Sequence, residues 1–350
     1  MSTLTVTDAR LLGAQATQAG AASRDLGIDT MRGVAILMVI AIHSLTQPLL
    51  AWQVTLDAML RPCVPIFLFA SGYLTAASGH VPLSKRIWAA LIPYTIVFAA
   101  AYLYMALHNP AMDHRPATTL ARYVLAYAFV YYYVFVYVGC TFLLWLVYRT
   151  IATDARRRTR QLTILLPLLI LFGLIVGAYV DPLLSRLGLS ESLIEEVRMR
   201  DIPFWFAFMA LGALVGTSGL KLELAASPRL LLGAAMVAYT IYAATRLAGI
   251  GDAADYDSIA FFGYAGLLCC LLLAIDRGSP ALASLGSGSY FIYLWHIFIV
   301  MALRDHAPLR QIGPLAASVL TFVIAAFGSI AALIIVRQTL PPSIARRLGA

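Results

Sequence analysis

Asp29-Thr-Met-Arg32-Gly-Val-Ala-Ile-Leu-Met-Val-Ile-Ala-Ile-His43 opens the first long apolar segment of the chain. Two of its side chains, Arg32 and His43, are ionisable in a run otherwise suited to hydrocarbon. At about 100° per residue, their spacing completes roughly three helical turns, so both project from one face. Asp29 falls near the same face. With a rise of about 1.5 Å per residue, His43 is expected roughly 16 Å along the axis from Arg32. That is close to the midplane of a hydrocarbon core about 30 Å thick. An ionisable group at such depth costs about 3 kcal/mol and marks a functional site by default.

Composition places the rest of the chain in the same solvent. Of the 350 residues, 61% are apolar and only 12% charged, and the mean hydropathy is +0.84. A soluble domain carries about 25% charged residues. The net charge of +8 raises the question of nucleic acid, which its distribution along the chain answers below. Cys63, Cys140, Cys269 and Cys270 lie in or beside apolar segments without metal-ligand spacing, so they read as buried thiols, with no disulfide framework and no metal.

Apolar runs of spanning length recur at about 32–50, 63–78, 86–107, 121–148, 161–180, 202–218, 229–248, 257–275, 287–303 and 312–336. The expected fold is an all-α integral membrane bundle of about ten transmembrane helices. The second is short, and the fourth is long enough to tilt or to extend beyond the membrane. With the N-terminus inside, most Lys and Arg fall on cytoplasmic segments, including Arg10, Arg24, Lys85, Arg86 and Arg156 to Arg158. Most acids, among them Asp57, Asp113, Asp201, Asp252, Asp255, Asp257 and Asp305, fall outside. Both termini are therefore expected in the cytoplasm, and the basic balance is a topology signal with no nucleic-acid partner. Residues 1–28 read as a flexible cytoplasmic tail, 29–338 as one membrane unit, and 339–350 as a short cytoplasmic tail. The outer loop 181–201 carries a short helix through Ser190–Arg198. No internal repeat is apparent.

Three segments bring polar groups to a similar depth. The first helix carries His43. The second, Val64-Pro-Ile-Phe67-Leu-Phe-Ala-Ser71-Gly-Tyr73-Leu74, carries Ser71. The ninth, Gly286-Ser-Gly-Ser289-Tyr-Phe-Ile-Tyr293-Leu-Trp-His296, places Ser289, Tyr293 and His296 on one face. Each has a plainer reading beside the chemical one. A membrane histidine can simply bond a neighbouring helix, and Ser71-Gly72 suits close helix packing. The tyrosines of the fourth segment, Tyr123 to Tyr137, suit an interfacial belt. The basic run at Arg156 suits a solvated loop.

These motifs together resemble acyltransferase family 3, the multi-pass membrane acyltransferases of bacterial surface carbohydrates. The resemblance rests on Arg32 and His43 with Asp29 and Gly33, on Phe67 to Leu74, and on Gly286-x-x-Ser289-Tyr-x-x-Tyr293-Leu-x-His296. It spans nearly the whole chain in order. Lys85, Arg86, Pro93 and Tyr94 look like the family's basic start to the third helix, although Ala89 stands where a second Arg is usual.

The resemblance implies an enzyme of the bacterial inner membrane, an acyltransferase for groups other than aminoacyl. It would pass an acyl group from acetyl-CoA, or another acyl-CoA such as succinyl-CoA, to a glycan or lipid-linked sugar. His43, with Arg32 and Asp29, would carry catalysis. His43 can act as general base on the sugar hydroxyl or can carry the acyl group itself. Ser71, Tyr73, Tyr293 and His296 would face substrate, with Ser71, Tyr293 or amides near Gly72 as oxyanion donors. Arg32, Lys85 and Arg86, at cytoplasmic helix starts, would hold the phosphates of coenzyme A. For Lys85 and Arg86, positive-inside topology is the plainer account. Asp29 either orients Arg32 or caps the first helix. A secondary transporter would also carry mid-membrane ionisable groups, but would be expected to show repeats and paired interrupted helices.

Overall fold

The computed structural model describes residues 25–250, 258–275 and 278–350. The expectations for residues 1–24, for Asp252, Asp255 and Asp257, and for Arg277 lie outside the described residues.

All regular structure among the described residues is helical. In chain order the helices are α1 (Leu26–Ser44), α2 (Ala51–Leu60), α3 (Cys63–Ser78), α4 (Leu83–His108), α5 (Pro116–Val124), α6 (Tyr132–Thr150), α7 (Ala155–Arg186) and α8 (Glu191–Met199). There follow α9 (Ile202–Ser218), α10 (Lys221–Ala226), α11 (Pro228–Ala248), α12 (Ile259–Ile275), α13 (Pro280–Ser287), α14 (Ser289–His306), α15 (Pro314–Thr339) and α16 (Pro342–Arg347). Among the described residues, eight helices or helix pairs are long and apolar enough to cross a bilayer, taking α2 with α3 and α8 with α9. The pair α13–α14, bent by 77°, makes a ninth. The remaining expected segment, 257–275, is α12, 17 residues long. The molecule is an all-α membrane bundle.

Its centre is α9, buried from Phe204 through Ala210. With no hydrophobic gain available between helices in lipid, close backbone contact is what holds them. A Cβ on Gly72 of α3 would lie 1.9 Å from the Met209 carbonyl oxygen of α9, and one on Gly212 would lie 2.0 Å from that of Phe69. Glycine is required at both. The same device joins α1 to α13: a Cβ on Gly33 would meet the Leu282 oxygen at 2.0 Å, and one on Gly286 the Asp29 oxygen at 1.8 Å.

Several boundaries differ from expectation, each for a physical reason. The first helix begins at Leu26, because Asp25 caps it by accepting from the amides of Gly27 and Ile28 at 3.0 and 3.1 Å. It ends at Ser44, well before residue 50, so His43 lies in its last turn. The second span is not short, since α2 extends it back to Ala51. The fourth is not continuous: between α5 and α6 the backbone turns irregular, with Ala126 and Phe129 at φ 51° and 49°. The carbonyls freed there are bonded from other helices. The Tyr94 hydroxyl donates to Tyr123 O at 2.8 Å, Arg200 Nε to Leu125 O at 2.7 Å, and the Tyr293 hydroxyl to Val130 O at 2.7 Å. A broken helix is tolerated in a membrane when its backbone is satisfied in this way. The expected helix near Ser190–Arg198 is α8, with Ser190 at its N-cap. The expected C-terminal tail is partly folded as α16, and Leu348 O accepts from Trp295 Nε1 of α14 at 3.3 Å.

Candidate active site

α1, α4 and α14 converge at the end of the bundle that holds Arg32. Between them lies a cavity of about 390 Å³ whose wall includes Arg32, Lys85, Arg86, Tyr137, Ser289 and Tyr293. This volume falls within the range of about 300–1,000 Å³ typical of small-molecule sites. Among the described residues, three cationic side chains and no acid line it. Asp29 sits beside it, 3.8 Å from Arg32 Nη1. Asp29 therefore pairs with Arg32, and the helix cap is Asp25. The pair leaves Arg32 only partly satisfied. Its Nε and the Nη1 of Arg86 are buried with no hydrogen-bond partner among the described residues. A buried unmet donor on a charged group is costly, and an anion in the cavity would remove that cost.

Beyond the cavity, toward the other end of α1, lie two histidines. The His43 and His296 rings are 5.4 Å apart, centroid to centroid, and inclined by 33°. His296 is fully buried, whereas His43 keeps partial exposure. His296 Nδ1 stands 3.0 Å from Ile292 O and 2.8 Å from Tyr293 O. Carbonyls only accept, so Nδ1 carries a proton, and Nε2 has no partner among the described residues. The carbonyl of His43 accepts from Arg304 Nη2 at 2.7 Å, which anchors the end of α1. Tyr293 joins the two regions: its ring lines the cavity and lies 6.4 Å from that of His296.

A family model described as an acyltransferase domain matches residues 25–337. The chain belongs to the acyltransferase 3 family. No curated protein and no solved structure matches it. Membership makes the protein an acyltransferase and a multi-pass membrane protein, and favours the enzyme over the transporter.

Within this acyltransferase, Arg32, Lys85, Arg86 and Tyr293 meet at one cavity, Asp29 adjoins it, and His43 meets His296. Ser71 and Tyr73 are placed differently. Ser71 is one turn beyond Phe67, which does line the cavity, and its neighbour Gly72 packs against α9. The Tyr73 carbonyl abuts Gly216 of α9. The packing reading of Ser71-Gly72 describes Gly72 well. The Tyr293 and Tyr290 hydroxyls are committed to the carbonyls of Val130 and Ala90, and Ser289, Tyr133 and Tyr137 bring further hydroxyls to the cavity wall. Tyr133 and Tyr137, read from the sequence as belt and packing ahead of a substrate platform, line the cavity four residues apart, and Arg304 was overlooked. The tyrosine spacing was a usable signal; nothing in the sequence ties Arg304 to the end of α1.

Proposed function

We propose that the protein is an O-acyltransferase of the bacterial inner membrane. It moves an acyl group, acetyl in the first instance and succinyl as the alternative, from cytoplasmic acyl-CoA to a hydroxyl of a cell-surface or periplasmic glycan. The observation that carries this reading is the basic cavity, with two buried guanidinium donors unmet, leading toward a histidine pair. Phosphates of the donor are held by Arg32, Lys85 and Arg86, and the thioester arm extends along α1 toward His43.

In the transfer, the sugar oxygen attacks the thioester carbonyl carbon, forming a C–O bond. The C–S bond breaks, and the electron pair leaves on sulfur. His43 takes the hydroxyl proton and returns it to the departing thiolate. In the two-step variant the His43 nitrogen attacks the carbonyl carbon, and the C–S bond breaks with its pair on sulfur. The sugar oxygen then attacks, the C–N bond breaks, and the hydroxyl proton passes to the departing imidazole or thiolate. His296, fixed by its Nδ1 hydrogen bonds, orients His43 in either route.

The test compares base-labile acyl groups on surface glycans of cells carrying the native protein or its His43→Ala variant. Acylation is expected to disappear while the variant remains folded and inserted. Full acylation by an inserted His43→Ala protein would overturn the reading. Arg32→Ala is expected to raise KM for acyl-CoA about 10- to 100-fold, the range of a lost charge-assisted hydrogen bond worth about 1.5–3 kcal/mol.

A further inference from the structure

A second cavity, of about 380 Å³, lies at the opposite end of α1. Its wall begins with Ser44 and Leu45, the residues directly after His43, and continues through Thr46, Gln47, Arg304 and Thr321. Leu303 of α14 and Ala307, directly after its end, also line it. They stand about 7 and 11 residues beyond His296, so His296 and Leu303 project from one face of that helix. The histidine pair thus sits between the two cavities, along both α1 and α14.

The segment from Leu45 to Leu50 that forms this wall is held by a group with no part in the transfer described above. Gln53 of α2 is fully buried. Its Nε2 donates to Thr46 Oγ1 at 2.8 Å and to Ser318 Oγ at 3.3 Å, and its Oε1 accepts from Leu50 N at 2.9 Å. Thr46 N donates to the same Ser318 oxygen at 3.3 Å. Arg304 fastens the other side, donating to the carbonyls of His43 and Leu45 at 2.7 and 3.3 Å. A buried amide satisfied on both ends fixes one conformation. Thr46 Oγ1 accepts from Gln53, so its own proton is left to donate, and it makes no hydrogen bond to an acceptor among the described residues.

We infer that this second cavity is the acceptor subsite and takes one sugar unit of the glycan, with Thr46, Gln47 and Thr321 bonding its hydroxyls. Hydroxyl and amide groups beside leucine and proline surfaces, with the Arg304 guanidinium donating to the carbonyls of His43 and Leu45, match a sugar ring, which has polar edges and an apolar face. The volume admits a sugar unit and excludes a packed polymer. Gln53 is a positioning residue that keeps Thr46 in place. This inference rests on the acyltransferase reading above.

The experiment uses the full-length protein. Thr321→Phe fills the cavity, and Thr46→Val keeps the side chain's shape while removing the hydroxyl, both its proton and the oxygen that accepts from Gln53, whose Nε2 keeps Ser318 Oγ. Two quantities are measured for each: binding of desulfo-coenzyme A to the purified protein in detergent, and alkali-released acyl groups on the glycans of the producing cells. Both variants are expected to bind desulfo-coenzyme A as the native protein does, and glycan acylation is expected to fall at least tenfold. Acylation unchanged in Thr321→Phe overturns the inference. Should Thr321→Phe fail to fold, Thr46→Val decides: native acylation overturns the inference, and a loss with binding intact supports it. The outcomes stay separable from failure of the parent reading, which would appear as native protein that neither binds desulfo-coenzyme A nor acylates glycan.

Discussion

His43 and His296 are both imidazoles on membrane helices, yet their surroundings assign them different work. His296 has one nitrogen spent on two carbonyls and no exposure, so it is a fixed group. His43 keeps partial exposure and has only its backbone carbonyl anchored. His43→Ala should therefore cost the full contribution of a general acid–base group, about 10²–10⁴-fold in kcat. His296→Asn retains a donor near Nδ1 and loses Nε2; it should fall at the low end of that range, about 10²-fold. Steady-state assays with acyl-CoA held saturating distinguish the two, since a merely structural role for His296 would lower the amount of folded enzyme without changing its kcat. Arg32 and His43 were legible from the sequence because ionisable groups in an apolar run stand out against composition. Asp25 was not, because it lies before the apolar run and looks like part of the polar tail. Gln53 was not, because its role depends on meeting Ser318 of α15, far along the chain.

At the scale of elements, the helices are held by backbone proximity more than by side-chain bulk. Gly286→Ala would place a methyl group 1.8 Å from the Asp29 oxygen and must push α13 off α1. Overpacking of this kind costs about 1–3 kcal/mol, so a lower melting temperature in detergent is expected, together with weaker acyl-CoA binding, because Arg32 rides on α1. Gly263→Ala supplies the opposite sign. A Cβ there meets nothing within 4 Å, and the helix propensity gain of about 1 kcal/mol should be kept. Thermal unfolding of the two variants side by side checks both directions. Helix existence was legible from apolar run length, whereas the break at Leu125–Tyr131 was not. Hydropathy registers side chains, and that break is stabilised by hydroxyls and a guanidinium arriving from α4, α14 and the turn at Arg200 to bond backbone oxygens.

Across the whole molecule, Asp57 ties distant parts together. It accepts from Arg61 Nε at 2.7 Å within its own segment, and it also pairs with Arg246 of α11. Asp57 and Arg246 are nearly inaccessible, at 6% and 8% side-chain exposure. Removing one member of a buried pair leaves an uncompensated charge and costs about 3–5 kcal/mol. Asp57→Asn should thus lower the unfolding temperature far more than a surface substitution would, and Asp57 is invisible to motif reasoning. Topology offers a second check at this scale. If α12 and the bent α13–α14 pair both cross, the crossings number ten and the termini share one side. If α12 does not cross, they lie on opposite sides. The distribution of Lys and Arg favours the first, and reporters fused to each terminus, active on one side only, read the answer directly.

The contact between α1 and α13 also governs how the donor cavity can breathe. Carbonyl oxygens of Asp29 and Leu282 rest against glycine carbons with no slack, so the wall bearing Arg32 and Ser289 behaves as one solid body. The facing wall, with Lys85 and Arg86 on α4, is joined to α14 beside the cavity by the Tyr290 hydroxyl on Ala90 O at 2.6 Å, and at the far end of α4 by Tyr104 donating to Asp305. On the function proposed above, release of spent coenzyme would move the cavity end of α4 against the far end, which Tyr104 and Asp305 hold. The residence time of the product, and with it the pace of repeated turnover, would then be written in the strength of the Tyr290 contact at the cavity end.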